Sequence, residues 1–313
     1  MSHPAPRREF LSRTALAVSG LAVTGVLAPV TRAIEPFRRT GKPELRLSLA
    51  AYSFRQFFTE GKGAEPRTGS ARPIDLFQFL DYCADQRCAA ELTSYYFPPQ
   101  PTDEFLLRVK RHAFLRGVAV SGSAVGNIFT HPPGPKRAAE IKSVKEWIDR
   151  AALLGVPHIR VFAGDVQGTS QEVARKLCVE ALEECGDYAG RKGIFLGVEN
   201  HGGIVSDAAD LLEIIRAVKS PWCGLNLDTG NFHTDDPYRD LELIAPYAVN
   251  VQWKADVLPR GAKEKQPADL KRLVQILRAA NYQGYMALEY EAEADAWIAV
   301  PRLLQEMSLV LAG

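Results

Sequence analysis

Features that would mark a disulfide scaffold, a zinc knuckle or a nucleic-acid binder are missing from this chain. There are only five cysteines in 313 residues, Cys83, Cys88, Cys178, Cys185 and Cys223. None forms a close CxxC pair, and an odd number makes a poor disulfide framework, so they read as small buried hydrophobes. Excess charge of either sign is also missing. Lys and Arg number 38 against 37 Asp and Glu, a net charge of +1, which leaves no basic field for nucleic acid or an anionic membrane surface. No GxGxxG motif follows an early strand, which argues against a dinucleotide-binding fold. No phosphate-cradling glycine loop is present, which disfavours phosphorylated ligands. With 46% hydrophobic and 24% charged residues, the chain has the profile of an ordinary globular protein.

The one long apolar run, Ala15 to Ala28, lies at the N-terminus. Arg7-Arg8-Glu9-Phe10-Leu11 precedes it, and Thr31-Arg32-Ala33 supplies small residues at −3 and −1 of a cleavage site. A charged start, a short apolar core and a small-residue end make an export signal, too short and too rich in Gly and Thr for a stable span. Paired arginines followed by Phe-Leu resemble the twin-arginine signal, whose route exports folded proteins. Residues 1–33 are therefore expected to be an export signal and 34–313 a single domain in the periplasm, with no membrane attachment once the signal is removed.

From Leu45 onward, strand-like runs alternate with helix-period segments. The strand-like runs are 45–53, 88–94, 118–126, 157–164, 193–200, 222–230, 249–256 and 284–291. The helical segments between and after them are Ile74–Gln86, Asp103–Arg116, Lys136–Leu154, Gln171–Arg191, Asp207–Val218, Tyr238–Ile244, Ala268–Ala280 and Ala294–Leu311. Such alternation implies parallel strands joined by crossover helices. Eight repeats at this length predict an α/β fold, a single-domain (β/α)8 TIM barrel. The Gly/Pro-rich stretches 57–73 and 127–137 follow strands, so they would lie on the catalytic face, where they could form a lid. Trp147 and Trp297 fall on helical segments and read as packing residues.

In such a barrel the site lies at the C-terminal strand ends. Those ends collect Glu199 from the fifth strand, Asp228 from the sixth, Gln252 from the seventh and Glu289 from the eighth. Buried carboxylates brought together repel one another and are costly to desolvate, and a divalent cation relieves both. An oxygen-rich set suits Mn²⁺ or Mg²⁺, with Zn²⁺ or Co²⁺ allowed by geometry. Asp228 also has a plainer reading as a turn former, and Glu291 shares the face of Glu289 by the two-residue period. Lys254 follows Gln252 by two and faces the same side, as a substrate contact or ion-pair partner. Arg160 sits in mid-strand, where it either reaches the pocket or pairs with a buried acid such as Glu91. His158 and His131 are weaker candidates.

The motifs GVENHGG (197–203), NLDTGNF (226–232), NVQWKAD (250–256) and ALEYE (287–291) resemble those of the xylose isomerase-like barrel superfamily. That group holds sugar (phosphate) isomerases and epimerases, endonuclease IV and inosose dehydratase. The resemblance is strong over strands five to eight and looser over LSLAAYSFRQ and IRVFAG. It implies one divalent metal held by Glu199, Asp228, Gln252 and Glu289, with Gln252 standing where the family usually has His. Gln at that place is a variation of hydroxypyruvate-isomerase-like members, in which an amide oxygen ligates. Asn231 replaces the His of a common Asp-x-x-His turn, leaving His201 or His233 to serve as the substrate contact.

The chemistry implied is proton transfer beside a carbonyl, through an enediolate stabilised by the metal as a Lewis acid. Glu199 and Glu289 would be the acid–base pair, with His201, Asn231, Lys254, Arg160 and His233 binding a small sugar or keto-sugar. The expectation is a metal-dependent sugar isomerase or epimerase, with a homo-oligomer allowed. Two other outcomes share the site: a lyase acting on keto-glycosides, and a decayed sugar-binding barrel. Endonuclease IV-like repair needs many His ligands, and six His in an exported protein fit it poorly.

Overall fold

The computed structural model describes residues 34–61 and 72–313; the expected export signal and most of the 57–73 stretch lie outside the described residues. Eight parallel strands close into a barrel: β1 (Glu44–Ala50), β2 (Ala89–Thr93), β3 (Val120–Ala124), β4 (His158–Val161), β5 (Phe195–Glu199), β6 (Cys223–Asp228), β7 (Ala248–Trp253) and β8 (Gln283–Leu288). They pair in chain order, and β8 returns to β1 with Glu44 opposite Gln283 and Leu49 opposite Leu288. The predicted (β/α)8 barrel is the observed fold.

Among the described residues, eight α-helices follow the strands in turn: α1 (Leu76–Asp85), α2 (Asp103–Leu115), α3 (Pro135–Leu154), α4 (Gln171–Arg191), α5 (Ala208–Ala217), α6 (Pro237–Ile244), α7 (Leu270–Ala279) and α8 (Ala296–Ala312). Their ends are written in the sequence. Asp75 and Gln78 form a reciprocal capping box at the start of α1, which satisfies two orphan donors. Pro135 opens α3, and Gly155 ends it at φ 83°, the left-handed position that glycine favours. The strand-like runs read from sequence exceed the strands by a few residues, because their polar ends turn out of the sheet to build loops. A two-residue antiparallel ladder, Asp256–Val257 with Gln266–Pro267, decorates the β7–α7 connection.

The core is the layer between the barrel and its helices, where Leu49, Leu196, Leu225, Val251 and Leu288 are wholly buried. Trp147 packs on Phe97 and Trp297 on Phe54, the packing roles expected of both. All five cysteines are buried and free. Among the described residues, no helix is long and apolar enough to cross a membrane.

Candidate active site

β5 ends on Glu199, β6 on Asp228, β7 one residue after Gln252, and Glu289 lies one residue beyond β8. Neighbouring hydrogen bonds continue the sheet there: Thr229 donates its N–H to Gln252 O, and Glu289 donates its N–H to Trp253 O. All four side chains are buried. The ladder therefore carries them to the same end of the barrel, as the sequence predicts. Arg55 holds the segment after β8 by donating to the carbonyl oxygens of Tyr290 and Glu291.

Each acid has a distinct environment. Arg160 pairs with a buried acid, Glu199 rather than Glu91, its Nε standing 2.9 Å from Glu199 Oε2. Asn231 donates to Glu199 Oε1 at 2.9 Å. Asp228 Oδ1 accepts the Gly230 N–H at 2.8 Å, whereas its Oδ2 accepts no hydrogen bond. Lys254 Nζ lies 3.5 Å from Asp228 Oδ2, 3.5 Å from Glu289 Oε2 and 2.9 Å from Glu291 Oε1. Gly230 makes room for that lysine, since a Cβ there would stand 2.7 Å from Lys254 Cβ.

The titration of these groups follows from burial opposed by neighbouring charge. Burial lifts the Glu199 carboxyl well above the usual range, and the Arg160 guanidinium works against it. Burial pushes Glu289 up to about 7, with Lys254 pulling it back. Asp228 is raised by burial as well, opposed by Lys254 and the Gly230 N–H. Burial alone would lower the Lys254 ammonium, but Asp228, Glu289 and Glu291 hold it above its ordinary value.

A cleft of about 200 Å³ opens beside these groups, lined by Asn231, His233, Lys254, Glu289 and Glu291 among others. At roughly 30 Å³ per water, it has room for a small polar molecule. Glu291 thus takes part through Lys254, although it lies beyond the strand. His233 bonds to Leu258 O at 3.0 Å through Nδ1. His201 rests against Phe162, ring centroids 4.4 Å apart, and Phe162 also lies under the Arg160 guanidinium. His131 lies before α3 and is not among the cleft residues. His158 is buried, its Nε2 3.9 Å from Glu91 Oε2.

Gln252 is committed elsewhere. Its Oε1 accepts from Asn226 Nδ2 at 2.6 Å and its Nε2 donates to Glu91 Oε1 at 2.6 Å. Glu91, the alternative partner read for Arg160, pairs instead with Gln252 and Asn250. The buried amides Asn226 and Asn250 escaped the sequence reading, and Glu91 was read only as a buried acid for Arg160. The signal was the two-residue spacing of Asn226 with Asp228, and of Asn250, Gln252 and Lys254, which sets polar residues on one strand face.

A family model for the xylose isomerase-like TIM barrel matches residues 77–307. The chain belongs to the xylose isomerase-like TIM barrel family. Solved structures with this family's fold resemble it at low identity. The 3-keto-D-glucoside 4-epimerase of E. coli is 17% identical with a TM-score of 0.65, covering 86% of this chain and 100% of its own. A D-psicose 3-epimerase from Clostridium cellulolyticum, solved with D-tagatose, is 14% identical with a TM-score of 0.65, covering 85% and 97%. A probable 3-DHS dehydratase from Bacillus anthracis is 14% identical with a TM-score of 0.58, covering 86% and 99%. No curated protein matches the chain by sequence.

Proposed function

We propose that the protein is a keto-sugar isomerase or epimerase that moves a proton beside a carbonyl, with Glu199 and Glu289 as the acid–base pair. The observation that carries this reading is the pair itself. Two buried carboxylates with raised proton affinity stand at strand ends on either side of β6 and β7, with Lys254 and Arg160 as their cations. A group with a pKa near the working pH serves best as both acceptor and donor of a proton, and Glu289 at about 7 meets that condition. One glutamate takes the proton α to the carbonyl, and the other returns it to the same or the neighbouring carbon. Lys254, aimed into the cleft, is placed to hold the oxygen that gains charge.

Charge and donor type fit a divalent metal. Glu199, Asp228, Glu289 and Glu291 oppose Arg160 and Lys254, so four negative and two positive charges leave a formal −2. The buried Asp228 Oδ2 lacks a hydrogen bond. Among the described residues, no three His, Cys, Asp or Glu side chains are gathered closely enough to hold an ion. Lys254 would have to give up Asp228 and Glu289 and keep Glu291. Glu199, Asp228 and Glu289 are the residues that would hold Mn²⁺ or Mg²⁺; Gln252 Oε1 is taken by Asn226. When bound, the ion would supply Lewis-acid stabilisation of the enediolate.

The same proton abstraction can expel a neighbouring group, and the keto-glucoside and dehydratase neighbours favour β-elimination from a keto-glycoside as the second outcome. A periplasmic site of action rests on the residue pattern of 1–33 alone, and fractionation of the producing cell tests it. The decisive experiment for the reaction incubates a panel of ketoses and 3-keto-glycosides with the protein in D₂O, with and without Mn²⁺. Deuterium uptake or elimination that disappears in both Glu199→Gln and Glu289→Gln supports the reading. Uptake that survives both substitutions ends it, and tight binding without any exchange points to the decayed barrel.

A further inference from the structure

Glu91 lies wholly buried in the middle of β2, and the proposed reaction makes no use of it. Its Oε1 accepts from Gln252 Nε2 at 2.6 Å and its Oε2 from Asn250 Nδ2 at 2.8 Å. The bonds then run on around a circle. Asn250 Nδ2 also donates to Asn226 Oδ1 at 2.8 Å, and Asn226 Nδ2 donates to Gln252 Oε1 at 2.6 Å. Four side chains from β2, β6 and β7 thus close a ring. One group leans out of it: Asn226 Nδ2 stands 3.5 Å from Glu199 Oε2.

The direction of these bonds is fixed by Glu91. A carboxylate offers only acceptors, whereas a side-chain amide offers two donors on one side and an acceptor on the other. Gln252 must therefore turn its NH₂ toward Glu91 and its carbonyl toward Asn226. Asn226 must answer with its NH₂, the group that also faces Glu199. A ring of amides alone could run either way; this one has a single polarity. The backbone is adapted to it. The barrel ladders shift register at two places, between Ala90 and Glu91 and between Leu225 and Asn226. Such irregularities re-aim the side chain that follows, and here those side chains are the anchor of the ring and its outlet to Glu199.

We propose that Glu91 and Gln252 are positioning residues for Glu199, acting through the polarity they impose on Asn226, and that the Gln252 amide serves this task in place of metal ligation. The inference rests on the reading of Glu199 as an acid–base group. Glu91→Gln removes the acceptor that sets the direction. With one acceptor at 91 where there were two, the ring is free to run either way, and in the reversed direction Gln252 and Asn226 turn over, Asn250 reorients to accept from Asn226, and Asn226 points its carbonyl oxygen at the Glu199 carboxylate. The exchange Glu91→Gln/Gln252→Glu trades the two groups and gives every bond of the ring a donor and an acceptor again, with Asn226 still presenting its NH₂ to Glu199.

The test measures kcat and KM for proton exchange into a ketose in the wild type, the single variant and the double variant, together with the side-chain NH₂ resonance of Asn226 by NMR. Glu91→Gln is expected to lower kcat by about 10–100-fold, the usual cost of losing an outer partner of a site group, with KM little changed. The double variant should recover most of that loss and return the Asn226 resonance to its wild-type position. A double variant as impaired as the single one, or a single variant with full kcat, overturns the proposal. If Glu91→Gln fails to fold, the double variant decides alone, because it keeps every bond of the ring. If the wild type exchanges no proton, the functional reading fails by itself. The resonance then decides for the ring, and a signal unmoved by Glu91→Gln refutes the imposed polarity.

Discussion

Lys254 shows how much one side chain determines at this site. Its ammonium is shared among Asp228, Glu289 and Glu291 and is itself nearly buried. Removing one partner of a buried charge set leaves the others uncompensated, at a cost of about 3–5 kcal/mol. Lys254→Met should lower the unfolding free energy by that order at neutral pH, measured in urea, and less at pH 5, where Glu289 takes a proton and no longer needs a counter-charge. Asn231 makes the contrasting case. It is half-buried and donates one hydrogen bond to Glu199, so Asn231→Ala should leave the melting temperature within a degree or two while lowering kcat about 5-fold, near 1 kcal/mol for one hydrogen bond. A drop in stability as large as the drop in rate would recast Asn231 as a structural residue.

At the level of strands, β3 and β4 are fitted to each other by a missing side chain. Gly122 on β3 faces His158 on β4, and a Cβ at 122 would stand 2.0 Å from His158 Cε1. Gly122→Ala should therefore destabilise the barrel by about 1–3 kcal/mol through overpacking, and His158→Ala in the same chain should restore part of the loss. Equilibrium denaturation of the two variants checks both statements. The strands also show what can be read from residues alone. The apolar runs and their helical partners announced all eight repeats, because burial on both faces of a parallel strand imposes a continuous hydrophobic signal. Glu199, Asp228 and Glu289 could be found because each stands where such a run stops. Glu91 was legible as a buried acid but not as the anchor of a ring, since a lone acid inside a strand gives no sign of the amides that will face it. The engagement of Gln252 was hidden for the same reason: its partners come from β2 and β6, and only the closed ladder brings them within hydrogen-bonding distance. Arg160 was legible as a buried cation, but the choice between Glu91 and Glu199 was made by side-chain reach across the barrel.

For the molecule as a whole, acid sensitivity should trace to His158. Burial pushes its imidazole down to about 4, below the usual value near 6.5. The folded state thus resists a proton that the unfolded chain accepts. The stability this confers is complete above about pH 6.5 and is lost as the pH falls toward 4, in total about 3 kcal/mol. Glu91, beside it and raised by burial, acts in the opposite sense, so the measurable quantity is the difference between two proteins. Wild type minus His158→Gln should lose stability steadily from pH 6.5 to 4, and equal pH dependence in the two would exclude the assignment.

The seam that closes the barrel has a consequence in time. Ser53, just after β1, donates to Leu288 at the end of β8, 235 residues further along the chain, and accepts from the Tyr290 N–H. Contacts this distant in sequence form late, because the intervening loop entropy must first be overcome. Glu289 sits one residue past that seam, whereas Glu199 and Arg160 belong to earlier strands. A nascent chain paused before β8 would carry Glu199 without Glu289, so under the proposed mechanism chemical competence arrives together with closure of the barrel.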